Sequence, residues 1–246
     1  VIYGNGHSIY DLTINSSSDY TGLFGYTSGA TIQDLAIVDA EITSTANCTG
    51  GLVGCSSNST ISNCFVTGTV SGASQVGGLI GYVVGGSVDH SYANVSVTAT
   101  SYAGGLIGAM SSAGCMVLES YAMGNVTSTG NSVGGFCGYM GSDNSITRSY
   151  ATGNVSGADY VGGFAGNSEG SSISNCYSSG TVTETGSNVG GFVGNSTSTI
   201  TNCVYNSDTG LTSGSSSGVT GLTLIQMKTQ SVMEAQGFTT DNGWTY

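Results

Sequence analysis

The chain has 246 residues, of which 42 are glycine and 70 are serine or threonine, with no proline. Fourteen acidic residues against one lysine (Lys228) and one arginine (Arg148) give a formal charge of −12. No Lys/Arg patch therefore exists to hold nucleic acid or an anionic lipid surface. An apolar content of 38% excludes a disordered chain, and no run approaches the ~18 apolar residues of a membrane-spanning helix.

Val1 opens the chain without the basic and apolar segments of a leader peptide. Ser8-Ile9-Tyr10-Asp11-Leu12-Thr13-Ile14 then enters partway through a repeat, matching its second column with no Gly-Leu-x-Gly before it. From Gly22-Leu23-Phe24-Gly25 onward, one motif returns along most of the chain. It reads Gly50-Gly51-Leu52-Val53-Gly54, Val76-Gly77-Gly78-Leu79-Ile80-Gly81, Ala103-Gly104-Gly105-Leu106-Ile107-Gly108 and Val133-Gly134-Gly135-Phe136-Cys137-Gly138. Val161-Gly162-Gly163-Phe164-Ala165-Gly166 and Val189-Gly190-Gly191-Phe192-Val193-Gly194 complete it. The glycine before the Leu or Phe falls at 22, 51, 78, 105, 135, 163 and 191, in steps of 27 to 30.

A second column keeps pace, from Ile61-Ser62-Asn63-Cys64-Phe65 to Ile200-Thr201-Asn202-Cys203-Val204, and a third follows at Gly68-Thr69-Val70 and its copies. Three short runs of Val, Ile, Thr and Tyr per repeat, divided by Gly, Ser and Asn, predict three strands per coil. The fold expected is all-β: a right-handed parallel β-helix of about seven 27–30-residue coils. A propeller blade needs ~40 or more residues, which the period excludes. Stacking at ~4.8 Å makes ladders of like residues. One ladder is apolar, from Leu23 through Leu52, Leu79, Leu106, Phe136, Phe164 and Phe192. Another is aromatic, through Phe65, Tyr92, Tyr121, Tyr150 and Tyr177. The column Asn63, His90, Glu119, Arg148, Asn175 and Asn202 carries charge, so it faces water or sits at a bend. The β-helix is assigned to residues 1–206, and a linker with a C-terminal cap to 207–246. In that cap Leu222 to Ala235 reads as one short amphipathic helix with Thr223 as its N-cap and Gly237 as its stop. Ile225, Met227, Val232 and Met233 would shield the last coil.

These repeats resemble the GLUG-motif family, whose Gly-Leu-x-Gly core stands here as Gly78-Leu79-Ile80-Gly81. The resemblance runs from Gly22 to about Asn206. The tail Gln226-Met227-Lys228-Thr229-Gln230, with Phe238 and Gly243-Trp244, is similar to the segment that often closes such arrays. The resemblance implies a surface-exposed β-solenoid of adhesin-like proteins, or of the non-catalytic regions of IgA-specific metallopeptidases. It transfers no active-site residue. The protease activity of those relatives needs a His-Glu-x-x-His helix, and His7 and His90 are the only histidines here.

No arrangement of residues points to catalysis. Arg148 is the one cation of the repeats, and Glu119 beside it in the column predicts a surface ion pair worth little. Asp34, Asp89, Glu119, Asp143, Asp159 and Glu184 are spread over different columns, so no catalytic carboxylate pair, cofactor or metal site is expected. Asn206-Ser207-Asp208-Thr209-Gly210 is similar to a calcium loop but lacks its distal glutamate, and reads as a turn. The mixed Ser/Thr/Asn faces read as ordinary solvated strands. Seven cysteines suggest an oxidising, extracellular or cell-surface setting. Cys176 and Cys203, 27 residues apart in one column, form either a disulfide between coils or a stacked pair of thiols. Cys64, between Ser91 and Leu35, has no such partner. Asn15, Asn47, Asn58, Asn94, Asn125, Asn154 and Asn195 lie in Asn-x-Ser/Thr sequons that permit glycosylation. The expected role is a non-enzymatic adhesin-type stalk or binding module, or alternatively a self-assembling subunit of a filament, sheath or surface layer. Its expected partners are glycans or proteins of a cell surface, and further copies or flanking domains meeting the N-terminal coil, whose first rung leaves strand edges unpaired. Nucleic acid and membrane insertion are not expected.

Overall fold

The repeating glycines dictate the path of the chain. In the computed structural model, which describes residues 1–111, 113–211, 214 and 216–240, the Gly-Gly-Leu/Phe segment is a corner rather than a strand. The chain leaves a six-stranded parallel sheet at the first glycine and enters a 24-stranded parallel sheet just after the Leu or Phe. A regular coil accordingly holds five short strands: Val133–Gly134, Cys137–Met140, Ser145–Thr147, Tyr150–Ala151 and Val155–Gly157. Three were expected, because the motif reads as one continuous apolar run. Close approach explains the glycines. A Cβ on Gly135 would press on the Gly163 carbonyl of the next coil and sit 3.0 Å from Ala151 Cβ across the interior.

The result is a parallel β-solenoid of about seven turns with like residues in register. One ladder runs Ile32, Ile61, Val88, Val117, Ile146, Ile173 and Ile200. The interior ladder Leu52, Leu79, Leu106, Phe136, Phe164 and Phe192 is fully buried, whereas Leu23 is half-buried. Phe136, Phe164 and Phe192 stack with ring centroids 4.7 and 4.8 Å apart. The second aromatic ladder, Phe65 to Tyr177, stacks at 4.7 to 4.9 Å on the outer surface, its rings half-buried. Among the described residues no helix is long and apolar enough to cross a membrane.

The two ends differ. At the C-terminal end, Tyr205 replaces the small residues Ala93, Ala122, Ala151 and Ser178 of its column. Its ring lies inside, over the space that the missing side chain of Gly191 leaves, and packs with Leu211 and Val219. The cap is two short helices, not one: α1 (Leu224–Met227) and α2 (Gln230–Ala235). Thr223 and Gln226 form a reciprocal capping box on α1. Thr229 breaks the continuity by taking an extended backbone while its Oγ1 donates to the Ile225 carbonyl at 2.8 Å. Ile225 points to solvent at 80% exposure, but Met233, Met227 and Val232 shield the end as expected, joined by Leu222 and Phe238 in a cluster with Val204. Gly237 ends α2 with φ 89°, as its position suggested. Ser213, Ser215 and the tail Gly243-Trp244 lie outside the described residues.

At the N-terminal end, strands β1 (Ile2–Tyr10) and β2 (Thr13–Ser16) both pair with Thr31–Ser44. Ser8 aligns with Ala36 and Ile14 with Ile42, so Ser8 to Ile14 belongs to the run after the corner. The second column starts instead at Ile2, opposite Ile32. A register shift between Tyr3 and His7 hides this alignment in the sequence.

Candidate functional site

One corner of each coil is turned by a single left-handed residue. Asp34, Asn63, His90, Glu119, Arg148, Asn175 and Asn202 all have φ between 46° and 56°. Asn and Asp tolerate this conformation best, because their short polar side chains bond locally. Histidine, as at His90, is also common there, whereas Glu119 and Arg148 are not, and these three stand on successive coils. Their side chains meet. Glu119 Oε1 accepts from Arg148 Nε at 2.7 Å and Nη2 at 2.6 Å, and Glu119 Oε2 lies 2.6 Å from His90 Nε2. His90 Nδ1 lies 2.9 Å from Asp89 Oδ1. The expected Glu119–Arg148 pair is thus one half of a four-residue network.

With a carboxylate against each ring nitrogen, His90 satisfies both only as an imidazolium. The bond to Asp89, with help from Glu119, raises its pKa against the opposing effects of desolvation and Arg148. The Asp89 oxygen is buried and has no hydrogen-bond partner beyond this ion pair. The His90 side chain is 54% exposed, so water screens the network and its energetic weight is small. Beside the network, Ser87, Asp89, Met116, Leu118, Ser145 and Thr147 line a shallow groove of about 310 Å³ on the outer face. Of the other carboxylates, Asp159 accepts from Asn188 and Ser187, and Asp34 from Gln33 and Asn63.

From Asn63 onward, the residue after each corner turns inward and closes it. Ser91, Ser120 and Ser149 donate to the carbonyl two residues back at 2.8 to 3.0 Å. Their Oγ atoms also accept the Cys64, Ser91 and Ser120 N–H groups of the preceding coil. Cys64, Cys176 and Cys203 fill the same column, with Sγ 3.2 to 3.3 Å from the equivalent carbonyls. Cys176 and Cys203 stand as two buried thiols one above the other, next to the paired Tyr177 and Val204. Burial raises the Cys64 thiol to about 11 and pushes Cys176 well above the ordinary range, so neither is a ready nucleophile. Cys48 and Cys115, elsewhere, are raised to about 12 by the same cause. The polar corner-closing role was not anticipated. The signal was present as a column that from Cys64 to Cys203 holds only Ser and Cys, between a charged column and an aromatic one.

Six sequon residues, Asn15, Asn47, Asn58, Asn94, Asn125 and Asn154, are exposed. Asn195 is half-buried, and its Nδ2 donates to Asn167 Oδ1 at 2.9 Å. Asn125 and Asn154 use their Oδ1 atoms to accept the backbone N–H of the next coil, so their amides are held in a ladder. In the Asn206 loop, Asn206 Oδ1 accepts from Asp208 N, and Asp208 Oδ2 accepts from Leu224 N at 2.8 Å. These oxygens tie the linker to the cap.

The model of the GLUG motif matches residues 45–71, 72–98 and 157–183. No curated protein sequence matches the chain. The fold is similar to the crystal structure of a "putative immunoglobulin A1 protease" from Bacteroides ovatus, with a TM-score of 0.67. The two are 21% identical over 95% of this chain and 71% of the other, a likeness of fold alone. The chain is thus a β-solenoid that carries the GLUG motif in three matched stretches, and the same corner glycines recur in its other coils.

Proposed function

We propose that the chain is a non-enzymatic module of an extracellular or cell surface, acting as an adhesin-type stalk or binding face. The observation that carries this reading is the filled interior. Continuous ladders of buried Leu, Phe, Ile and Val occupy the whole length, and the hollows lie on the outside. Stacked coils form a stiff rod whose outer columns repeat every ~4.8 Å, a geometry suited to spacing and display. The ionic corner does not resemble a hydrolytic pair, because each carboxylate is already held by a cation. The neighbour's description concerns immunoglobulin A1, but this chain has no His-Glu-x-x-His segment with which to cleave it. Beads coated with the protein, applied to mucin-coated surfaces and to cultured epithelial cells, test the reading. Saturable retention that free protein competes away supports it, and absence of retention on every surface counts against it.

A second reading, association of copies, is favoured by the N-terminal edge. Ile9, Ile14 and Leu23 are half-buried and Ile2 is 36% exposed, whereas Ile37, Ile42, Leu52 and Ile32 one coil later are at most 1% exposed. The opposite end carries the cap, so the N-terminal edge is the face on which a preceding segment of a longer chain would pack or two copies would pair. Analytical ultracentrifugation over a wide concentration range distinguishes the pair from the monomer. Substituting Ile2 and Tyr3 by lysine should abolish the pair.

A further inference from the structure

The outer aromatic ladder has one uncovered ring face. From Phe65 to Tyr177 every ring lies against its neighbours, and Phe238 packs edge-on against Tyr177 at the far end. On the N-terminal side of Phe65 the column continues as Ala36 and then Ser8, both too small to cover a ring. A hollow of about 160 Å³ results, lined by Phe65, Ala36, Leu35, Ser8, Asp34 and Asn63. Asp34 is the corner residue of its coil and Asn63 that of the next. Both have left-handed backbones, and both line the hollow together with the ring. The Asp34 carboxylate is fixed from two sides, Oδ1 accepting from Asn63 Nδ2 and Oδ2 from Gln33 Nε2, each at 3.1 Å.

We infer that this hollow binds one neutral pyranose unit of a glycan. The inference rests on the binding-module reading above and names its ligand class. A pyranose has an apolar face of C–H bonds that lies flat on an aromatic ring, and vicinal hydroxyls at its rim. Asp34 accepts from hydroxyls in charge-assisted bonds, while the Asn63 amide and the Ser8 hydroxyl offer both donors and acceptors. Apolar walls with a few oriented polar groups are the usual make-up of a small-ligand site. The other ring positions cannot serve, because their faces are occupied. A single ring in a shallow hollow sets a dissociation constant of about 1 mM.

The test is titration of the intact chain with methyl glycosides of glucose, galactose, mannose and N-acetylglucosamine, followed by NMR. At least one glycoside should saturably shift the Asn63 side-chain amide and the Phe65 ring signals. Asp34→Asn should weaken binding by about tenfold, and Phe65→Tyr should retain it. Asp34→Asn keeps a residue suited to the left-handed corner, so the fold survives the substitution. Phe65→Leu, checked for native circular dichroism, should abolish binding. No saturable shift with any glycoside at about 100 mM overturns the proposal, as does binding that both Phe65→Leu and Asp34→Asn leave intact. Saturation by tetramethylammonium in place of the glycosides overturns the saccharide assignment in favour of a cation site. If beads adhere but no glycoside shifts Asn63, the pyranose site fails while the binding-module reading stands.

Discussion

Phe164 sits in the middle of the interior ladder, with no exposed surface and a parallel ring on each side at 4.7 and 4.8 Å. Replacement by alanine removes a buried ring from a space that the neighbouring backbones cannot close, because their spacing is fixed by the sheet hydrogen bonds. Truncations of this kind cost about 3–5 kcal/mol in all, and the loss of two ring pairs, at about 0.5–1.5 kcal/mol each, places Phe164→Ala in the upper half of that range. Phe164→Leu should cost far less, about 1–2 kcal/mol. Leu79 and Leu106 occupy the same column fully buried, so the corner already accommodates a leucine. Urea unfolding followed by circular dichroism measures both values. In a solenoid each coil touches only its neighbours, so hydrogen exchange should also rise first in the coils of Phe136, Phe164 and Phe192. A Phe164→Ala variant within about 1 kcal/mol of the parent, or a leucine variant as damaged as the alanine one, would refute the ladder.

Gly135→Ala should destabilise by about 2 kcal/mol or more in the same assay, since the added methyl meets the Gly163 carbonyl and Ala151 at once. His90→Asn should change the pH dependence. The raised imidazole pKa gives a contribution fully present below the unfolded value of about 6.5 and lost as pH rises through the folded value. The parent should therefore gain at most about 1 kcal/mol over the variant at pH 5. At pH 9 the variant should equal or exceed the parent, because asparagine suits the left-handed corner; thermal melts at the two pH values check this. Cys176→Ser should remain folded and near parental stability, since the hydroxyl makes the same carbonyl bond, whereas Cys176→Val should lose about 1–3 kcal/mol. Native-state alkylation by iodoacetamide should leave Cys64, Cys176 and Cys203 unmodified, and mass spectrometry reads the outcome directly.

The period of 27 to 30 residues and its aligned glycines were enough to place the ladders, because parallel stacking forces like residues together. What the period could not tell was the role of each glycine. Gly-Gly-Phe has the composition of a weak strand, and only the carbonyl beside Gly135 makes it a corner. The Glu119–Arg148 pair was legible from adjacency in a column. His90 stands beside Glu119 in the same column, but its charged role also needs Asp89 on the other ring nitrogen, a contact that column adjacency does not show. The end plug was missed for a related reason. Tyr205 looks like an ordinary strand residue until Gly191 is seen opposite it. The single helix drawn through Ile225 followed apolar spacing. Thr229 overrode that spacing by bonding its hydroxyl to the preceding turn.

The most direct test of the central claim, a filled solenoid that presents its surface without performing chemistry, is a search for turnover. Immunoglobulin A1, mucin, polygalacturonate and neutral glucans are incubated with the purified chain for a day at pH 5 and pH 7.5, and the products are read by mass spectrometry. The account predicts intact substrates under every condition. Fragments that accumulate with time and vanish in Arg148→Ala or His90→Ala would contradict it, and would turn the ionic corner into an active site.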